Sequence, residues 1–251
     1  MPSPALRLVT IGPSHYCEKA RWALDRAGLP YREDAHLPVF HIPAARRASG
    51  GRQTHVPILV TPDGPLTDST DILRWLDDRL PPERRLFPAD LPDAAALEDD
   101  FDEHLGKAAR VVAYGALLPD LGRFVADFTR GVPARERWLF RPALPLGRAA
   151  IRRAYRVTPA HVARSRDQVA RDFDAVAARL ADDRPYLCGD RFSAADLTFA
   201  SLAGPLVNLD RQGPLLRPDR LTPALTSLIA GYAAHPAGAF IARLYREDRH
   251  R

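Results

Sequence analysis

A short apolar run, Leu6, Leu8, Val9 and Ile11, meets Gly12-Pro13 and gives way at once to Ser14, a residue that caps helices. From Ser14 the pattern reads on as a helix through Glu18-Lys19-Ala20-Arg21-Trp22-Ala23-Leu24 to Gly28, which suits a helix C′ position. Residues 5–27 are therefore a strand that turns tightly into a helix. That turn sets the Ser14 hydroxyl among unpaired N–H groups at the positive end of a helix dipole, where an anionic sulfur or oxygen is stabilised.

Tyr31–Ala35 reads as a second short strand, and 36–55 as irregular with one short helix near Ala44–Ser49. A strand at 57–61, the turn Pro62-Asp63-Gly64-Pro65 and a brief strand at Leu66-Thr67 form a hairpin signalled by Asp-Gly. Ile72, Leu73, Leu76 and Leu80 then recur at helical spacing, predicting a helix over 70–80. Strand–helix–strand, hairpin, helix is the order of a small mixed sheet flanked by helices.

Pro81-Pro82 ends that helix, and four prolines within 81–93 make the segment an extended linker. Beyond it the pattern is helical, with helices predicted at 93–117, 120–129, parts of 143–156, 158–181, 193–203 and 222–234. Residues 130–157, rich in arginine, proline and aromatics, give no assignment. The best local signal is Ser193-Ala194-Ala195-Asp196, a capping box, with Phe192 placed to pack on Leu197 as a hydrophobic staple.

Three features in order, the Ser14-x-x-Cys17 helix opening, Val56-Pro57 before a strand and Asp68-Ser69 before a helix, make residues 5–80 resemble the thioredoxin-like domain of the glutathione transferase family. Gly189-Asp190-x-Phe192-Ser193-x-Ala195-Asp196 is likewise similar to the N-capping motif of that family's helical domain, whose role is in folding. The resemblance implies an α/β thioredoxin-like domain followed by an all-α helical domain, divided as 1–80, a linker 81–93, and 94–251. It also implies glutathione as co-substrate, with its thiol activated for attack on a small hydrophobic electrophile, a homodimer, and a part in detoxification.

The resemblance assigns roles residue by residue. Ser14 donates a hydrogen bond to the glutathione sulfur and holds it as thiolate, against an ordinary thiol pKa of ~8.5; plain helix capping is the competing reading. His55 stands near the glycine carboxylate. Val56, before a cis Pro57, offers its main chain to an extended peptide. Asp68 meets the γ-glutamyl ammonium, and Ser69 with the first N–H groups of the next helix takes the carboxylate; a helix cap alone fits Ser69 equally well. In dithiol redox relatives the attacking thiol occupies the position that is Ser14 here, so Cys17 is expected in the core. Tyr16 is expected to pack inward, and His15, Lys19 and Arg21 to be ordinary solvated side chains. His104, Arg110 and Tyr114 are the candidates for lining the electrophile pocket.

Composition bounds the rest. The 251 residues are 46% hydrophobic and 27% charged, an ordinary globular balance. No apolar run nears the ~18 residues of a membrane span, and Met1-Pro2-Ser3-Pro4 lacks a basic region followed by an apolar one, so a cytoplasmic protein without a membrane partner is expected. Cys17 and Cys188 are too far apart in sequence for a metal motif or a disulfide framework, so no metal is expected, and Cys188 is expected to be a small buried residue. Of 36 basic residues only Lys19 and Lys107 are lysines. Residues 90–103 hold seven acids and no base, whereas 141–171 hold eight arginines against Asp167. With Tyr155 the sole aromatic there, that stripe reads as a solvated or anion-attracting face, and no nucleic-acid partner is expected. A non-catalytic binding or scaffold protein, a glutathione-dependent isomerase or reductase, and use of another small thiol remain as alternatives.

Overall fold

The computed structural model describes residues 6–250. Ala5 of the expected first strand and the 1–4 segment lie outside the described residues. Strand β1 (Leu6–Ile11) pairs in parallel with β2 (Tyr31–His36), Leu6 opposite Tyr31, and antiparallel with β3 (Ile58–Thr61), Leu8 opposite Leu59. A third pairing adds β4 (Gly64–Leu66), giving the order β2-β1-β3-β4. Because strand side chains alternate between faces, Leu8 and Leu59 join one core and Val9 and Ile58 another. Helices α1 (His15–Ala27) and α3 (Ser69–Asp77) cover the first face, and α2 (His41–Ala48) covers the second. Gly28, at φ 64°, closes α1 by donating to the carbonyls of Asp25 and Leu24.

Helix α3 stops at Asp77, three residues before the predicted Leu80. Its last turn tightens, with the Leu80 N–H bonding Asp77 O at 3.1 Å. The Asp77 carboxylate meanwhile accepts the backbone N–H groups of Leu86 and Phe87, which turns the chain back along the domain.

The second domain is helical: α4 (Asp93–Asp100), a π turn (Phe101–Leu105), α5 (Gly106–Leu117), a 3₁₀ stretch (Leu118–Phe124), α6 (Val125–Phe128), α7 (Ala134–Ala154), α8 (Pro159–Arg179), α9 (Ala194–Ala203), a two-residue hairpin of β5 (Leu209–Asp210) and β6 (Gly213–Pro214), α10 (Pro223–Ala234) and α11 (Pro236–Glu247). Every residue of α9 is buried, and the rest assemble around it. The capping box is present. Asp196 accepts from the Ser193 N–H (2.9 Å), the Ser193 hydroxyl (2.8 Å) and the Leu187 N–H (2.8 Å). Burial raises its carboxyl to about 6. Phe192 and Leu197 share one core, in which Phe192 also stacks on Trp22 of α1, 5.9 Å between centroids.

Two expectations change here. Lys19 and Arg21 are not solvated, because α1 is enclosed on nearly all sides. Lys19 is wholly buried where α1, α3 and α4 meet, donating to Glu98, Asp102 and the Thr70 hydroxyl. Arg21 donates to Glu33 at 2.8 Å and to the Ile11 carbonyl at 3.3 Å. Most of the stretch 130–157, where helix was expected only in parts of 143–156, forms the 21-residue α7 (Ala134–Ala154) despite Pro142 and Pro145 within it. All eight arginines of 141–171 are exposed. Among the described residues no single helix is long and apolar enough to cross a membrane.

Candidate active site

Where β1 ends, the Ser14 N–H bonds the Ile11 carbonyl at 3.1 Å and the chain turns into α1. Ser14 is extended (φ −76°, ψ 122°), and its Oγ accepts the Cys17 N–H at 3.4 Å. It is thus the N-cap, and a hydroxyl that accepts there still has a proton to donate. Across from it, Asp68 caps α3 (φ −124°, ψ 146°), its carboxylate accepting the Thr70 N–H at 2.8 Å. The cap that the sequence allowed equally at Ser69 is therefore made by Asp68. Ser69 becomes the first helical residue and is buried, with Oγ 3.4 Å from an Asp102 oxygen of the second domain.

Between these two helix starts runs the loop before β3. The Val56–Pro57 peptide is cis, and Val56 lies outside the ladder, whose pairing with β1 begins at Ile58. The exposed His55 precedes it. Gln53 anchors this loop, donating its side-chain amide to the Thr67 carbonyl at 2.6 Å and its N–H to the Ser49 hydroxyl at 3.1 Å.

Ser14, His55, Val56, Pro57, Asp68 and Ser69 all line one cleft of about 460 Å³. Its opposite wall is supplied by Arg110 and Tyr114 of α5, by Tyr155 just past α7, and by Leu225, Leu228 and Ile229 of α10. His104 is not part of it. That imidazole is exposed and sits 3.0 Å from the Asp100 carboxylate, one helical turn back.

The residues after Ser14 look inward. His15 is buried against α5, its Nε2–H donating to the Gly106 carbonyl at 3.0 Å. Burial, and then the neighbouring Arg110 charge, hold its pKa down to about 3, so the ring is neutral. The expected surface histidine is thus a buried tie between domains. Tyr16 donates its hydroxyl to the Asp102 carbonyl at 2.9 Å, and burial raises its pKa. Gly106 makes this packing possible, since a Cβ there would stand 2.5 Å from Tyr16 Oη. Cys17 is fully buried, and desolvation pushes its thiol pKa up, which suits a core residue and not a nucleophile. Cys188 is half-buried, not fully enclosed.

Tyr155, Gln53 and the three apolar residues of α10 carry no distinguishing mark in the sequence. Each reaches the cleft through tertiary placement.

The chain matches the family model described as glutathione S-transferase, N-terminal domain, over residues 8–84, and that described as glutathione S-transferase, C-terminal domain, over residues 159–230. No curated protein matches it. Its fold is similar to that of a Methylobacterium radiotolerans glutathione S-transferase in complex with glutathione sulfonate, with 23% identity, 94% of this chain and 93% of that one covered, and a TM-score of 0.51. It is also similar to a theta class glutathione S-transferase from Xanthomonas axonopodis pv. citri with glutathione bound, with 21% identity, 95% and 97% covered, and a TM-score of 0.52. A glutathione transferase from Populus trichocarpa, 15% identical with 95% and 98% covered, gives a TM-score of 0.56.

Proposed function

We propose that this chain, which belongs to the glutathione S-transferase family, binds glutathione in the cleft between its two domains and activates the glutathione thiol for attack on a small hydrophobic electrophile. The observation that carries this is the convergence of two capped helix N-termini, at Ser14 and at Asp68-Ser69, with Val56 on one cleft whose far wall is largely apolar.

In this reading each end of the tripeptide meets a group of matching chemistry. Asp68 takes the γ-glutamyl ammonium, while Ser69 and the first N–H groups of α3 take its carboxylate. Val56 pairs with the peptide backbone, as a strand would. His55 faces the glycine carboxylate. The sulfur then lies at Ser14, where the hydroxyl and the start of α1 favour the thiolate. Lowering a thiol from ~8.5 by one unit raises the thiolate share near pH 7 about eightfold. Tyr114, Tyr155 and the α10 side chains hold the electrophile beside that sulfur, and proximity supplies the remaining acceleration. A homodimer and a cytoplasmic location belong to the same reading. It is tested by measuring glutathione consumption with a panel of aryl halides, enals and epoxides. Conjugation by the native protein that Ser14→Ala reduces is the expected result, and inactivity toward the whole panel despite glutathione binding favours a scaffold.

A further inference from the structure

Among the described residues, Arg110 is a cation in the cleft without an acceptor. From Glu103 in the π turn on along α5, the side chains lining the cleft include one helical stripe, Glu103, Lys107, Arg110, Tyr114 and Leu117. Arg110 sits midway, between the helix end beside Asp68-Ser69 and the apolar end. Its guanidinium lies 4.2 Å from the centroid of the Tyr155 ring and 5.6 Å from that of Tyr16, and Tyr155 stacks on Tyr114 at 5.4 Å and 11°. The aromatic faces fix where the guanidinium is, because a cation is drawn to the π-face, but they accept none of its N–H groups in the plane of the fork.

Among the described residues Arg110 has no ion pair and no hydrogen bond, and its Nε is buried without an acceptor. The cleft's own acids are already engaged. Asp102 is held by Lys19, Glu103 by Lys107 at 2.6 Å, and Asp68 by the Thr70 N–H at 2.8 Å. A guanidinium stays protonated throughout the working pH range. Half-buried donors without acceptors are unfavourable by themselves and become favourable when a planar oxyanion meets the edge of the fork, in the plane of the guanidinium that stacks on the ring.

We propose that Arg110 is an anion subsite for the electrophile, and that the substrate this protein selects is an aromatic or aliphatic electrophile carrying a carboxylate. The apolar body rests on Tyr114, Leu225 and Leu228, and the carboxylate takes the Arg110 fork bidentately, beside the sulfur at Ser14. This rests on the reading of the cleft as a glutathione site.

The test uses two product-like probes that differ by one charged group, S-benzylglutathione and S-(carboxybenzyl)glutathione with the carboxylate at the meta or para position. Binding of each, and of glutathione itself, is measured by calorimetry on the native protein, on Arg110→Gln and on Arg110→Lys. Expected for the native protein is at least about tenfold tighter binding of one carboxybenzyl isomer than of the benzyl conjugate, the strength of one charge-assisted pair. Arg110→Gln removes that preference while leaving glutathione and S-benzylglutathione within about twofold, and Arg110→Lys restores part of it. Equal binding of charged and neutral conjugates by the native protein overturns the subsite alone. So does a loss of glutathione affinity in Arg110→Gln, which assigns the arginine to the tripeptide instead. Failure of glutathione and all conjugates to bind the native protein overturns the glutathione reading and the subsite with it.

Discussion

The Nε2–H of His15 donates to the carbonyl of Gly106 at 3.0 Å, tying the residue next to the candidate catalytic serine to the helix that lines the opposite wall. Ser14 is therefore held by both domains: its own turn fixes its backbone, and α5 clamps the next side chain in a dry contact. This contact joins the turn that carries Ser14 to the opposite wall of the cleft.

That contact has a pH signature. Folded His15 stays neutral down to about 3, whereas in the unfolded chain it takes a proton near ~6.5. Between those values the unfolded state binds the extra proton. The His15 contribution is thus present above pH ~6.5 and is lost as pH falls, by up to about 1.4 kcal/mol per pH unit. Asp196 works the other way. Its folded carboxyl, raised to about 6, takes a proton before its unfolded counterpart near ~3.9 does, which offsets part of the loss between about pH 6 and 4. His15→Gln is therefore expected to gain stability relative to the native protein as pH drops from 6.5 to 4. Urea unfolding across that range checks it, and a constant difference contradicts it.

Gly106→Ala is expected to destabilise. Alanine gains up to about 1 kcal/mol of helix propensity over glycine. Its methyl, however, would lie 2.5 Å from Tyr16 Oη and 2.9 Å from a Leu202 carbon. Overpacking of that kind costs about 1–3 kcal/mol, so the clash wins. A lower Tm by calorimetry is the expected outcome, accompanied by reduced turnover because Tyr16 and His15 are displaced together.

Lys19→Met strands Glu98, whose side chain is wholly buried and whose carboxyl burial already raises. Removing one partner of a buried pair typically costs about 3–5 kcal/mol. Adding Glu98→Gln should recover part of that loss, since the charge left without its cation is then gone. A double-mutant cycle in denaturant measures the coupling, and strict additivity would count against it.

Ser14→Ala is expected to leave glutathione affinity within a few-fold while lowering kcat/KM by about 10- to 100-fold, the range of one hydrogen bond to a charged group. The bound thiol should titrate at higher pH, read from its ultraviolet thiolate absorbance. Cys17→Ser should change stability more than turnover, because that thiol is sealed in the core.

Most of the first domain is readable locally. A helix cap, a left-handed glycine and an Asp-Gly turn act within a few residues, so β1, α1, the β3–β4 hairpin and the Asp196 box can be placed from the chain alone. Features that depend on distant neighbours are not legible in this way. His15 and Lys19 look like surface residues until α5 and α4 pack over α1. His104 and Arg110 lie on the same helical stretch, and the helix's rotation alone decides that one meets solvent and the other the cleft. Residues 134–154 form a long helix through two prolines, against the local rule that prolines break one. Helix α11 is hidden in the sequence because Pro236 comes so soon after α10 that the pattern reads as an ending.

Glutathione binding through Asp68, Ser69 and Val56, with the sulfur at Ser14, is tested most directly by calorimetric titration of the native protein and of Asp68→Ala with reduced glutathione near neutral pH. Saturable binding with one site per chain, weakened about tenfold by Asp68→Ala as expected for one lost charge-assisted contact, is the predicted result. No binding at millimolar glutathione, or binding indifferent to Asp68, would contradict it.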